Sequence, residues 1–374
     1  MKPNKPIKLA VIGTRGYPYI YSGYETFVSE LVERISKHDV EITVYCHKNL
    51  FSSYPKRVNN VNLIYFRTLE LKSFSQLIHS FQSMIHAAIN DSNIILVVNS
   101  ANGPFGIISK LLKKKSVINV DGLEWLRPKW SGLGAKYFLW ASKMSTKLYD
   151  EVITDSIGMA QVYSEKFNCS SKIIAYGANI AYTSSDESQN SWGLRRGDYY
   201  LIVGRLIPDN NADIVLREFV ASNSSKRIVI VGDVPYKDNY ASEIKIKYND
   251  PRILFTGYIT DKEELSDLFL NSFVYIHGHE YGGTNPTMLQ ALASGCGIYA
   301  IDTIFTREML SNGDYGLLFT KEENSLKCII EDNEKNEEVI GKLKKKARDQ
   351  IKNNYTWEKI ANQYLELFHE MLKG

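Results

Sequence analysis

Apolar residues fall in short, near-continuous runs separated by stretches of helical spacing. The first run, IKLAVIG, leads through Gly13-Thr14-Arg15-Gly16 and a loop to Gly23. The segment YETFVSELVERISKH then repeats Phe27, Leu31, Val32 and Ile35 at helical spacing. EITVYC, VNLIYF, NIILVV, SVINV and EVITDS predict further strands with helix-like sequence between them, most economically a parallel βαβ winding. A second series opens with YYLIVGRLIPDNN and continues through RIVIVGD, RILFTGYI, FVYIHGH, GCGIYAI and YGLLF. Between the series, from Gly177 to Asp198, the composition turns polar, as in an interdomain crossover. The closing YTWEKIANQYLELFHEMLKG is an amphipathic helix with Trp357, Ile360, Tyr364, Leu365 and Phe368 on one stripe.

This pattern predicts an α/β protein of two Rossmann-like, doubly wound domains, residues 1–180 and 181–354, followed by a helix at 355–374. Two such domains imply a cleft, and open α/β sheets bind ligands beyond the carboxyl ends of their strands. The glycine-rich turns at 13–16, 22–23, 204–205 and 282–285 all follow strands and are expected to converge there.

Length agrees with two cores, since 374 residues exceed what one usually serves. No apolar run reaches the ~18 residues of a membrane span. The N-terminus lacks a signal-peptide core, and Cys46, Cys169, Cys296 and Cys328 are scattered without metal spacing, so a reduced, cytoplasmic protein is expected. Net charge of +3 hides an asymmetry. Residues 1–180 carry 22 Lys+Arg against 13 Asp+Glu, and the remainder 23 against 29, giving +9 and −6. The basic half suits anionic lipid headgroups or a phosphorylated substrate. Lys113, Lys114 and Lys115, after the apolar IISKLL, mark either a membrane-facing surface or a solvated helix end. Aromatic and basic residues are not interleaved as a nucleic-acid platform requires.

The most informative segment is HGHEYGGTNPTMLQALASGCG, residues 277–297. Asn285 is a preferred N-cap, Pro286 suits the first helical position, and Gly295 supplies a left-handed stop. Gly282 and Gly283 allow close backbone approach, with Thr284 and Asn285 beside unpaired amides at the positive end of the helix dipole. Together these read as a phosphate cradle rather than an ordinary capped helix. Arg205, after its own strand, is placed to clamp a diphosphate, or else to pair with Asp209 or Asp213. Asp121, after SVINV, either orients a hydroxyl or makes an Asx turn ahead of Gly122. His277 and His279 share a strand face without a matching ligand cluster, and Asp-x-Asp is absent from the chain, so no metal site is expected. Gly13–Gly16 lacks dinucleotide spacing, which argues against a nicotinamide dehydrogenase.

GTRGYPYIYSGYETFVSEL resembles the opening of the rhamnosyltransferase-type members of glycosyltransferase family 4. The resemblance continues through DGLEWLRPKW, VITDSIG, VGRLIPDNN, VGD, YGGTNPTMLQALASG, YGLLF and YTWEKIANQY, covering nearly the whole chain in order. It implies a GT-B fold whose last helix returns to the N-terminal domain, no catalytic metal, and retention at the anomeric carbon. Carried over, Gly23 matches the loop glycine near the donor phosphates and Arg205 the diphosphate arginine, and Gly16 is expected among the donor-binding residues. Gly283, Thr284 and Asn285 match the phosphate-side helix start, Gln290 the ribose-binding position, and Asp121 a polar position beside the donor sugar. Glu280 lies two residues before the first acid of the family's paired-glutamate motif. Arg15, Tyr24, Glu25 and Glu124 fall where the acceptor is expected. The chain departs from the family in three places: Ser22 replaces a glycine, Asn211 stands where a phosphate-binding lysine is usual, and Gln290 replaces glutamate.

The expected function is retaining transfer of a sugar, first choice L-rhamnose from dTDP-rhamnose, to a lipid-linked saccharide at the inner face of the cytoplasmic membrane. Alternatives are a UDP-sugar-dependent transferase, an epimerase or hydrolase on the same scaffold, and a catalytically silent nucleotide-sugar-binding protein.

Overall fold

The computed structural model describes residues 6–19, 23–69, 73–128, 130, 132–181, 192–234 and 239–373. The chain forms two compact units. One runs to Tyr176 and takes up the chain again from Trp357; the other is Gly177–Thr356. Residues 182–191 of the polar connecting stretch lie outside the described residues.

The first unit winds in order through β1 (Ile7–Ile12), α1 (Gly23–Ile35), β2 (Val40–His47), β3 (Arg57–Val58), β4 (Val61–Phe66), α2 (Ser73–Ile89) and β5 (Ile94–Val98). It continues with α3 (Gly106–Leu111), β6 (Lys115–Val120), α4 (Leu133–Leu148), β7 (Glu151–Thr154), α5 (Ile157–Phe167) and β8 (Lys172–Ile173). The sheet order is β3-β4-β2-β1-β5-β6-β7-β8, parallel except for β3 against β4. Every residue of β5, IILVV, is buried, as a central parallel strand covered on both faces requires. The two-residue strands β3 and β8 escaped the pattern, because two residues carry no periodicity.

The second unit contains β9 (Tyr199–Val203), α6 (Ala212–Ala221), β10 (Arg227–Val231), α7 (Asn239–Lys247), β11 (Ile253–Gly257), α8 (Lys262–Asn271) and β12 (Val274–His277). After these come α9 (Pro286–Ala293), β13 (Gly297–Ile301), α10 (Ile304–Met309), β14 (Leu317–Phe319), α11 (Ser325–Glu334) and α12 (Glu337–Asn354). All neighbours in the order β11-β10-β9-β12-β13-β14 are parallel. The order reverses between β9 and β12, and a doubly wound sheet leaves its ligand crevice beyond the carboxyl ends at such a switch point.

The last helix, α13 (Trp357–Lys373), belongs to the first unit and packs on α1. Its apolar stripe is buried, and the Phe27 ring lies 5.5 Å from Tyr364, 6.3 Å from Trp357 and 5.1 Å from Tyr176. Asn119, at the end of β6, donates to the Tyr364 hydroxyl at 2.8 Å. Phe27 thus sits in an aromatic cluster with no room to collapse. Phe27→Ala is expected to cost the first unit about 3–5 kcal/mol, read as a lower denaturation midpoint in urea. A midpoint unchanged from wild type would refute the packing argument.

Candidate functional site

In the second unit, the loops after β9 and β12 meet at the sheet's switch point. Backbone contact there is closer than side chains permit. A Cβ on Gly204 would lie 2.5 Å from His279 Nε2, and one on Gly278 would collide with the Asn210 carbonyl. The Asn210 side chain closes the β9 loop by donating to the Arg205 carbonyl at 2.8 Å. Arg205 itself is exposed and has no ion-pair partner among the described residues. The alternative pairings are not made: Asp209 is buried, and Asp213 accepts from the Tyr240 hydroxyl at 2.7 Å.

The start of α9 is held by a directional network. Asn285 Oδ1 caps the helix by accepting from the Thr287 amide at 3.0 Å and the Thr287 hydroxyl at 2.7 Å. A main-chain N–H can only donate, so the amide orientation is fixed and Nδ2 is what meets His279 Nδ1 at 2.6 Å. His279 Nδ1 therefore accepts, and its proton sits on Nε2, over Gly204. Since the Thr287 hydroxyl donates to Asn285, it accepts from Tyr275 at 3.0 Å; Tyr275 then accepts from His277 Nδ1 at 3.1 Å. Burial, with the neighbouring His279, holds His277 well below its ordinary range, so it is neutral.

The expected cradle of unpaired amides is only partly realised. The Asn285 N–H points to the buried Met309 sulfur at 3.4 Å, and the Thr287 N–H is taken by the cap. Gly283 and Thr284 are buried beside this helix start. Gln290 lies half-buried one turn on, with Nε2 3.4 Å from the Ser294 hydroxyl.

Asn211 differs from its expected role as a donor ligand. It has φ +51°, is buried, and donates to the Gly278 carbonyl at 2.8 Å, so it ties two loops together while Asn210 stands beside Arg205. Glu280 sits beside it and pairs with Lys321 Nζ at 2.6 Å. Lys321, His279 and Tyr176 were not among the expected site residues. The signal for Lys321 was faint: a lone lysine just after the last strand of a parallel sheet.

In the first unit, Asp121 follows β6 and accepts hydrogen bonds from Tyr24, near the start of α1, and from Tyr176 at 2.7 Å. The residue keeps some surface, but protein surrounds its carboxyl. Desolvation raises the carboxyl above its ordinary range against the lowering effect of the two hydroxyls and Arg127. Burial also raises Tyr24 and Tyr176 well above theirs, so both remain protonated donors. Glu124 accepts from Trp130 Nε1 at 2.7 Å and pairs with Arg127 at 3.1 Å, forming a brace next to Asp121.

Other expected residues hold the loop. Glu25 is buried and accepts from the Arg15 amide at 3.0 Å, a bond that fixes the turn rather than presenting a carboxylate to a ligand. Gly16 has φ +130° and packs on Cys46, where a Cβ would come within 2.8 Å of the sulfur. Gly23 is the exposed first residue of α1, and Ser22 lies outside the described residues. No group of His, Cys, Asp or Glu among the described residues could hold a metal ion.

This architecture matches solved structures over nearly its full length. Sucrose-phosphate synthase from Thermosynechococcus elongatus superposes with TM-score 0.81 at 16% identity, covering 98% of this chain and 99% of that one. Anabaena HepE in complex with UDP gives TM-score 0.77 at 15% identity, covering 97% and 100%. The chain has a GT-B fold. Residues 184–357 match the family model of glycosyl transferases group 1, and Arg205 and α9 fall within that match. Residues 7–179 match a domain of unknown function (DUF1972). An uncharacterized glycosyltransferase of Methanocaldococcus jannaschii is 26% identical over 178 residues, which are 46% of this chain. The chain spans 44% of the length of that curated relative.

The raised Asp121 carboxyl has a consequence for stability. Folded protein holds that proton to higher pH than the unfolded chain, so stability falls as pH rises through the interval above the ordinary aspartate value. Asp121→Asn is expected to raise the thermal unfolding midpoint near neutral pH, with the gain shrinking as pH falls toward the ordinary aspartate range. A variant less stable than wild type at neutral pH contradicts this assignment.

Proposed function

We propose that this chain is a retaining glycosyltransferase that takes a nucleoside diphosphate sugar on its second unit and transfers the sugar to a saccharide acceptor. One observation carries the reading: Arg205, exposed and without an ion-pair partner among the described residues, stands at the β9–β12 switch point beside a capped helix start. Arg205 clamps the diphosphate by bidentate hydrogen bonds, and the positive end of α9 favours the same charge. His279, whose ring orientation Asn285 sets, lies at the same turn. Lys321 supplies a second cation at the same strand ends, which offsets an asparagine standing where the family carries lysine. Gln290 is assigned to a nucleotide ribose hydroxyl.

Asp121, with Tyr24 and Tyr176, positions a sugar or acceptor hydroxyl. In a front-face route the acceptor oxygen bonds to the anomeric carbon as the bond to the diphosphate oxygen breaks. The departing phosphate oxygen takes the acceptor's proton, so no side chain acts as covalent nucleophile and no metal is required. The motifs shared with rhamnosyltransferase-type members of glycosyltransferase family 4 favour L-rhamnose from dTDP-rhamnose and a lipid-linked saccharide of surface polysaccharide synthesis, such as capsule or O-antigen. A UDP-sugar donor is the second reading, because the fold also matches HepE solved with UDP and with UDP-glucose.

Calorimetry with dTDP, UDP and their sugar conjugates tests the proposal. Arg205→Ala is expected to weaken the preferred nucleotide about tenfold to a hundredfold, as loss of a hydrogen bond to a charged group implies. Undiminished binding by that variant removes the clamp. Tight donor binding without product across an acceptor panel would favour a silent binding protein, and donor consumption without acceptor a hydrolase.

A further inference from the structure

Helix α2 is built inside out. Its seventeen residues, SFSQLIHSFQSMIHAAI, contain no Asp, Glu, Lys or Arg. Toward the sheet it buries His79, Ser80 and Ser83 along with Met84, Ala87 and Ala88. Outward it presents Phe74, Phe81, Ile85 and Ile89, exposed by 66%, 45%, 38% and 67%. A surface helix normally shows the reverse arrangement.

The apolar face does not stop at α2. Helix α3 packs against α2 and exposes Ile107 and Leu111, and Leu112 follows it. Helix α4 packs against α3 and exposes Leu133 and Trp140. The Phe81 ring meets Phe105 at 5.7 Å, and Lys110 Nζ donates to the Lys147 carbonyl at 3.0 Å, so the three helices form one continuous surface. The charges on it share one sign. Lys110, Lys113, Lys136, Lys143 and Lys147 are exposed there, and α2, α3 and α4 contain no acidic residue.

We propose that the α2–α3–α4 face docks on an anionic lipid bilayer. Exposed phenylalanine, leucine and isoleucine side chains sink to the headgroup boundary, tryptophan favours that interface, and lysines reach anionic headgroups on flexible stems. A second copy of the chain fits less well, since a self-complementary contact would set Lys136, Lys143 and Lys147 of both copies against one another. Of the lysine triplet singled out in the sequence, only Lys113 serves. Lys114 Nζ is held by the Asn90 and Ser92 carbonyls, and Lys115 is half-buried in β6. This inference deepens the proposed function by giving a lipid-linked acceptor a surface to approach, yet its test involves no sugar transfer, so the two fail separately.

Co-sedimentation of the full chain with phosphatidylcholine vesicles, with and without phosphatidylglycerol, decides it. Partition is expected only with phosphatidylglycerol and should fall with added salt. Combined Lys136→Glu, Lys143→Glu and Lys147→Glu should weaken it by roughly a hundredfold, from about fivefold per lysine near the surface. Phe81→Glu with Ile85→Glu should also abolish it. Lys345→Glu with Lys346→Glu, on α12 of the other unit, should change nothing. Bromine-labelled lipid should quench the wild-type fluorescence and spare Trp140→Phe, which tests the same face without reversing a charge. Unaltered thermal midpoints separate lost binding from lost folding. Failure to bind the anionic vesicles, equal partition of the lysine variant, or a dimer dissociated by Phe81→Glu would each overturn the proposal.

Discussion

The edge of the second unit that carries Arg205 depends on main chain lying bare at two glycines, one against the His279 ring and one against the Asn210 carbonyl. Gly204 and Gly278 let the loops after β9 and β12 lie directly against Asn210 and His279. Close packing of this kind tolerates no added methyl, because neighbouring atoms in a dense interior cannot yield. The contact brings His279 over Gly204, and His279 in turn engages the cap residue of α9. Arg205 is thereby presented outward from a loop closed on both sides. A flexible arginine on a flexible loop would lose more freedom on meeting a diphosphate.

The same economy explains why polar residues near this edge fall into two kinds. Asn211, Thr287 and Tyr275 have their hydrogen-bonding groups taken by protein and set the positions of others. Arg205 has no such side-chain partner among the described residues. Around Asp121 the balance differs. Two protonated phenols and a brace from Glu124 and Arg127 hold a carboxyl in a site that disfavours its charge. A group kept where its charged form is costly is a frequent mark of function.

The strands were legible because buried parallel strands announce themselves as apolar runs, and β5, β9 and β13 are buried throughout. The helix start at Asn285-Pro286 was legible because cap, proline and terminal glycine each have one local reason to be there. What escaped depends on distance along the chain. Lys321 meets Glu280 across 41 residues, and Tyr176 meets Asp121 across 55. Asn210 and Asn211 are chemically identical, and only the left-handed φ of the second sends one inward and leaves the other beside Arg205. Nor did periodicity reveal that α2 turns its apolar side outward, since a helical repeat says which residues share a face and not which way that face looks.

Charge asymmetry then takes on a specific meaning. The second part of the chain, with −6, is where an anionic nucleotide is proposed to bind, while the first, with +9, carries the lysine-edged apolar face. Net charge would predict the opposite assignment for the nucleotide. Screening resolves the conflict: with a Debye length of about 8 Å at physiological ionic strength, acids scattered over a domain are felt weakly at a site that holds its own cation. Arg205 and the end of α9 act at contact distance, whereas a bilayer is an extended sheet of charge that many lysines meet at once. Summed charge therefore bears on the proposed membrane face, and local geometry alone on the proposed nucleotide site.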